Sequence, residues 1–328
     1  MQPRCCMVYD NLILTAAPCK FIYPYHLKFL LMFHRRQFLA TTLATSSALL
    51  LSRSSLAALP PDHAYMKTLG LQLWTVRNQM AADPQATLKA VAAAGYKQVE
   101  LMDVADALKL APVANDLGMQ VQSAFFNWEV LGNDQPASTV PSIDHIIEQA
   151  QQHQLKYLVF GYIGKGHRET VAQYQRTADR CNKAAEKCQA AGLTLCYHNH
   201  SFEFAPLQDK TTGFDVFIQE FDSKNMKFEL DVFWVAIGGW NPLDTLKRLK
   251  GRVAQVHLKD LLTGSQTETD EGKVPAEAFK EVGEGCIDMK QVIAIASDIG
   301  VDLCHVEQDQ SPAPLKSIEL SFQNLKTL

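Results

Sequence analysis

From Leu69 onward the chain alternates short apolar segments with amphipathic ones, and it does so eight times. The short segments, LGLQLW, YKQVEL, MQVQSAF, KYLVFGY, LTLCYHN, MKFELDV, RVAQVHL and VDLCHVE, have the length and residue types of strands. The stretches between them carry helical spacing. Five of these end on a glycine just before the next strand: Gly95, Gly118, Gly192, Gly251 and Gly300. Glycine stops a helix there because it can take the positive φ of the C′ position. Strands alternating with helices imply a parallel sheet. Eight such units over about 260 residues match the size of a (β/α)8 barrel. An open doubly wound sheet would place a glycine-rich fingerprint after its first strand. Here TVRNQM follows LGLQLW, and GYIGKGHR, after the fourth strand, is neither a dinucleotide fingerprint nor a phosphate loop. The expected fold class is therefore α/β, a (β/α)8 TIM barrel over residues 68–328.

The residues ahead of the barrel follow different rules. HRRQFLATTLATSSALLLSRSSLAALPP joins Arg35–Arg36 to a short apolar run and then to small residues, with Ser55-Leu56-Ala57 as a cleavage site. That is the layout of a secretory signal peptide, and the paired arginines before Gln37-Phe38-Leu39 resemble a twin-arginine export signal. The apolar run from Phe38 to Leu51 is 14 residues, short of the ~20 that span a bilayer, so no stable membrane anchor is expected. Residues 32–57 are read as the signal peptide and 58–67 as a linker. Residues 1–31 fit no targeting pattern and are read as an over-extended start, with translation beginning at Met32. A periplasmic protein exported by the twin-arginine translocase follows. Of the eight cysteines, three lie in residues 1–31 and the other five are scattered without CxxC spacing. Neither a disulfide framework nor a cysteine zinc site is supported.

Barrel enzymes place their chemistry at the C-terminal ends of the strands, on the inward face. Strand parity then sorts the residues. In MKFELDVFW, Phe228, Leu230 and Val232 form the outward set, which turns Glu229 and Asp231 inward. In RVAQVHLKD, Ala254, Val256 and Leu258 are the outward set, leaving Gln255, His257 and Lys259 inward. Glu307 closes the last strand, with His305 two residues below it, and His198 and His200 share one face of LTLCYHNH. Four consecutive strands thus bring imidazole or carboxylate to one mouth: His198 or His200, Asp231, His257 and Glu307. Such a mixed set suits one divalent ion of the Mn, Zn, Fe or Co class. Lys259, beside His257, is a cation able to stabilise an enolate oxygen. Gln72, Trp74, Glu100, Phe126 and Trp128 follow the first three strands and are candidates to line a ligand site together with His200.

Residues 197–204 (YHNHSFEF), 229–235 (ELDVFWV), 252–260 (RVAQVHLKD), 282–285 (VGEG) and 305–309 (HVEQD) resemble the sugar phosphate isomerase/epimerase superfamily, the xylose-isomerase-like barrels. The resemblance covers essentially the whole barrel and is strongest to the branch with inosose-dehydratase-like and sugar-epimerase-like members. It implies metal ligands from the ends of strands five to eight: a Glu, an Asp, a His and a Glu. Asp231, His257 and Glu307 match; where the family has ENH, this chain has HNH, which makes His198 rather than His200 the fourth ligand. Epimerases of the family use both glutamates as an acid/base pair, so either Glu203 replaces the missing one or the reaction uses a single carboxylate.

The function these residues suggest is metal-dependent proton abstraction next to the carbonyl of a sugar, keto-sugar or cyclitol, leading to isomerisation, epimerisation or dehydration. Glu307 would be the base, Lys259 the electrophilic partner, and Glu203 an auxiliary carboxylate. A non-catalytic sugar-binding barrel is the alternative, and an apurinic endonuclease a more remote one. The net charge of −4 and pI near 6.2 count against a nucleic-acid partner, which needs a basic footprint. Self-association into a homo-oligomer is compatible with the composition.

Overall fold

A computed structural model describes residues 63–328, residue 209 excepted. The expected export signal and the segment read as an over-extended start lie outside the described residues. Eight parallel strands close into a barrel in which the eighth pairs with both the seventh and the first. They are Gly70–Gln72, Gln98–Leu101, Gln120–Phe125, Tyr157–Phe160, Thr194–His198, Met226–Asp231, Val253–Leu258 and Leu303–Val306. Each coincides with one of the eight expected strands. The five helix-ending glycines all take positive φ, from 76° at Gly118 to 115° at Gly95.

The main core lies between the outward faces of the strands and the inner faces of the helices. Leu71, Val99, Leu158, Leu195, Phe228, Leu230, Val256 and Leu258 are fully buried there. Burying side chains of this kind is worth ~1.5–3 kcal/mol each. The last residues read as linker belong to this core: Ala64–Thr68 is a short helix, and its buried Tyr65 donates to the Val301 carbonyl at 2.5 Å. No described helix is long and apolar enough to cross a membrane.

Strand parity holds with one correction. Between the sixth and seventh strands the register shifts: Phe228 faces Val253 while Glu229 faces Gln255. Ala254 is the extra residue of this bulge, and a bulge breaks the in–out alternation locally. Ala254 therefore leaves the expected outward set and packs with Tyr157, Val159, Cys196 and Leu303. Cys196 and Leu303 precede His198 and His305 on their strands, so this apolar group fills the barrel below the polar residues.

Candidate active site and metal ligands

The HNH turn that ends the fifth strand is set by its middle residue. The buried Asn199 amide donates to the Asp231 carbonyl at 3.2 Å and accepts the Asp231 N–H at 3.1 Å, joining the ends of strands five and six. His198 and His200, on either side of it, line the pocket at the barrel mouth. Asp231 caps the helix Val232–Ile237, its Oδ1 accepting the Trp234 N–H at 3.0 Å. The cap holds the carboxylate and leaves Oδ2 without a hydrogen bond.

One nitrogen or oxygen from each of His198, Asp231, His257 and Glu307 lies within 4.8 Å of the other three. His198 Nδ1 is 3.1 Å from Glu229 Oε1. His257 Nε2 is 2.7 Å from Glu100 Oε2, while its Nδ1 is 2.9 Å from Glu307 Oε2 and 3.9 Å from Asp231 Oδ2. Carboxylates thus back both rings on their deep side. This is how metal-ligating imidazoles are oriented, with the second nitrogen left for the ion. The backed imidazoles and Asp231 Oδ2, which has the Lys259 ammonium at 3.0 Å but takes no hydrogen bond from the backbone, fit a divalent cation of the Mn, Fe, Co or Zn class.

Lys259 is fully buried in the pocket floor. Its Nζ lies 3.0 Å from Asp231 Oδ2, 2.7 Å from Glu307 Oε2 and 2.7 Å from Asp309 Oδ1. Burial works to lower its pKa, but the charges of Asp231, Asp309 and Glu307 outweigh burial and raise it, so the ammonium stays charged. Asp309 is pushed up to about 6 by burial, with Lys259 pulling the other way. His200 is pushed down to about 3, by burial and then by Lys259, so its ring is neutral.

The HLKD and VGEG segments prove to be one device. Asp260 accepts four backbone N–H groups, from Leu261 (2.8 Å), Gly283 (2.9 Å), Gly285 (3.1 Å) and Ile287 (3.1 Å). A Cβ at Gly285 would lie 2.2 Å from Asp260 Oδ1, so only glycine lets the loop close on the carboxylate. The excursion between these two segments roofs the pocket with Glu271, Gly272 and Val274. It is tied to the loop after the fourth strand: Glu271 Oε1 accepts from Arg168 at 2.6 Å and from the Tyr162 hydroxyl at 3.0 Å, and Lys165 donates to Asp270 at 2.9 Å.

The cavity measures about 640 Å³, and Gln72, Trp74, Phe126, Trp128 and His200 line it as expected. Glu100 does not. It is fully buried below the mouth, bonded to Gln72 (2.8 Å), Ser123 (2.5 Å) and His257, and so it supports the site rather than lining it. Glu203 is also outside the pocket. Its carboxylate accepts the Tyr197 hydroxyl at 2.5 Å and the His200 N–H at 2.9 Å. Tyr197 faces the outer core, so this anchorage turns Glu203 away from the ligand set, and it cannot stand in for the missing glutamate. It fixes the turn that presents His200. Asp309 was not singled out, although it shares strand-end parity with Glu307 in HVEQD. The roof residue Glu271 carried no signal, since its segment has no periodicity.

The family model of the xylose isomerase-like TIM barrel matches residues 88–328. Inosose dehydratase of Geobacillus kaustophilus is 26% identical over 153 residues, 44% of this chain and 49% of that protein. Inosose dehydratase of Clostridium beijerinckii is 24% identical over 161 residues, 47% of this chain and 53% of that one. The chain thus spans about half the length of the curated relatives it matches. Among solved structures, a sugar phosphate isomerase/epimerase from Parabacteroides distasonis superposes with a TM-score of 0.64 at 19% identity, over 80% of this chain and 94% of that one. The IOLI protein with a binding zinc atom gives 0.57 at 16% identity, over 79% and 95%. At such identities the superpositions speak for the fold alone. With most of its length matched by the family model, the chain belongs to the xylose isomerase-like TIM barrel family.

Proposed function

We propose that this protein is a divalent-metal-dependent dehydratase of a keto-sugar or cyclitol ketone, removing a proton next to the carbonyl and expelling a neighbouring hydroxyl. The observation that carries it is the convergence of His198, Asp231, His257 and Glu307 around Lys259, with His198, Glu307 and Lys259 lining an aromatic-walled cavity and Asp231 and His257 buried directly behind them. The dehydratase names of the relatives support the same reaction class.

A cation held by these four residues would act as a Lewis acid on vicinal substrate oxygens and acidify the adjacent C–H. Lys259, itself fully buried, adds a fixed positive charge where the carbonyl oxygen gains negative charge. The base is reassigned from the sequence expectation. Glu307 Oε2 is bonded to both the Lys259 ammonium and the His257 ring, and although burial acts to raise its pKa, those charges hold it well below the usual carboxylate range. It is a poor proton acceptor. Asp309, at the pocket wall beyond Lys259, is a carboxylate outside the ligand set, with a pKa pushed up to about 6. A base with its pKa near the working pH is the more effective one. Asp309 therefore takes the C–H proton and passes it to the expelled hydroxyl, which leaves as water and returns Asp309 to its carboxylate form. His200, with Nδ1 unpartnered and its ring neutral, accepts a substrate hydroxyl and orients it. Trp74 and Trp128 pack on the apolar faces of the sugar ring.

Epimerisation needs a second acid/base on the opposite face of the carbon. The strand-five position that supplies it elsewhere is the imidazole His198, and Glu203 points away. The test is NMR in D2O with inososes and keto-hexoses, using protein loaded with Mn²⁺, Co²⁺ or Zn²⁺ and protein stripped by chelator. Deuterium uptake beside the carbonyl and loss of water, both metal-dependent, are expected. Binding without exchange under any metal would overturn the assignment and leave a sugar-binding barrel.

A further inference from the structure

Beneath the mouth the barrel holds a second group of ligand-type side chains. Glu100, Glu229, His257 and His305, from strands two, six, seven and eight, are all fully buried. One nitrogen or oxygen from each lies within 4.8 Å of the other three. His305 makes no hydrogen bond through either ring nitrogen, and Glu229 Oε2 makes none. An unsatisfied buried polar group is costly. Two ionised carboxylates buried side by side add mutual repulsion. The chain nevertheless makes room for the ring. Gly70 pairs with His305, and a Cβ there would lie 2.1 Å from His305 Cδ2. The first strand thus carries a glycine where any side chain would displace the imidazole.

We propose that Glu100, Glu229 and His305 form a second divalent-cation site, deeper than the mouth quartet. Two carboxylates and an imidazole suit the Mn, Fe, Co or Zn class. The cation offsets the charge of both glutamates and gives His305 a partner. His257 stands between the two sites, with Nε2 toward Glu100 and Nδ1 toward Glu307. The deep ion therefore fixes the two carboxylates that orient His257 and His198 in the mouth. The deep site does not depend on the reaction proposed above.

The experiment is elemental analysis of the full chain purified from zinc-supplemented cells, with folding checked by circular dichroism. Wild type should hold two zinc ions per chain, and Asp231→Asn and His305→Leu one each. Should His305→Leu fail to fold, Glu229→Gln in the Asp231→Asn background should remove the remaining zinc. If wild type holds one zinc that is lost in His305→Leu and kept in Asp231→Asn, the deep site stands and the mouth site fails. If folded His305→Leu keeps the wild-type zinc content, or the Glu229→Gln double variant keeps that of Asp231→Asn, the deep site is refuted.

Discussion

Replacing Lys259 by Met removes the one ammonium that touches Asp231, Glu307 and Asp309. Methionine approximates the lysine stem, so the change is chiefly one of charge. Breaking a buried ion pair leaves an uncompensated charge and costs ~3–5 kcal/mol. Three carboxylates lose their partner here, and Lys259 is fully buried, so the upper part of that range is expected at neutral pH. The deficit should depend on pH with a definite sign. Asp309, already at about 6, and Asp231, already raised by burial, rise further above their unfolded value of ~3.9 without the ammonium, and Glu307 loses the charge that does most to hold it down. A raised pKa contributes stability below the unfolded value and loses it as pH rises through the folded one. The variant should therefore approach wild type near pH 4–5 and fall furthest behind near pH 8. Urea unfolding across that range measures it.

Turnover adds an independent reading. A charge that stabilises a developing oxyanion is worth ~10²–10³-fold in rate, so Lys259→Met should lose that much while its metal content is monitored. A variant with wild-type stability at pH 8 and near-normal turnover would show that Lys259 is a spectator. The charge-compensated mouth would then be wrong.

His257→Ala should lose the mouth metal yet stay folded, because Val256 and Leu258 keep the strand in the outer core; full metal occupancy by elemental analysis would sink the ligand assignment. Asp309→Asn should cut turnover by ~10²–10⁴-fold with metal retained, whereas Glu307→Gln should lose both; equal turnover in Asp309→Asn and wild type would return the base to another group. Burial raises Glu203 to about 8, so its contribution to stability is present below the unfolded value of ~4.3 and lost as pH rises through 8. Glu203→Gln should flatten that fall in urea unfolding between pH 5 and 8.5, and an unchanged slope would refute a buried, protonated Glu203. The twin-arginine layout predicts the protein in the periplasmic fraction of its native host, and its recovery with the cytoplasm would contradict export.

The barrel was legible because its signals are local. Each strand is a short apolar run, and five of the helical stretches end on a glycine whose positive φ the structure shows. Parity placed Asp231, His257, Lys259 and Glu307 on one face because side chains alternate strictly along a regular strand. It failed at Ala254, where a bulge inserts a residue, and a bulge leaves no mark in hydrophobic patterning. Glu100 and Glu203 were misplaced for a different reason. Glu100 lies near the end of the second strand and Glu203 in the turn after the fifth, and only their partners, His257 for one and Tyr197 for the other, decide whether such a group meets solvent or supports a neighbour. Those partners are distant in sequence or set by a turn.

The departure at strand five follows from charge. Asp231, Glu307 and Asp309 bring three negative charges to the mouth, and Lys259 returns one positive. A divalent cation held there would supply two more, and with His257 bound to it as a neutral imidazole the sum is zero only if the remaining ligand is neutral. The imidazole of His198 meets that condition, because burial drives its pKa well below the usual range. A glutamate in its place would leave a net negative charge at a buried position, where unpaired charge is costly. It would also face Glu229, which lies directly across in register. His198→Glu should therefore not restore two-base chemistry. It should destabilise the fold, and lowering the pH should recover the loss as the added carboxyl takes up a proton. A His198→Glu protein as stable as wild type at pH 8, with new epimerase activity, would show that charge balance is not what holds histidine at this position.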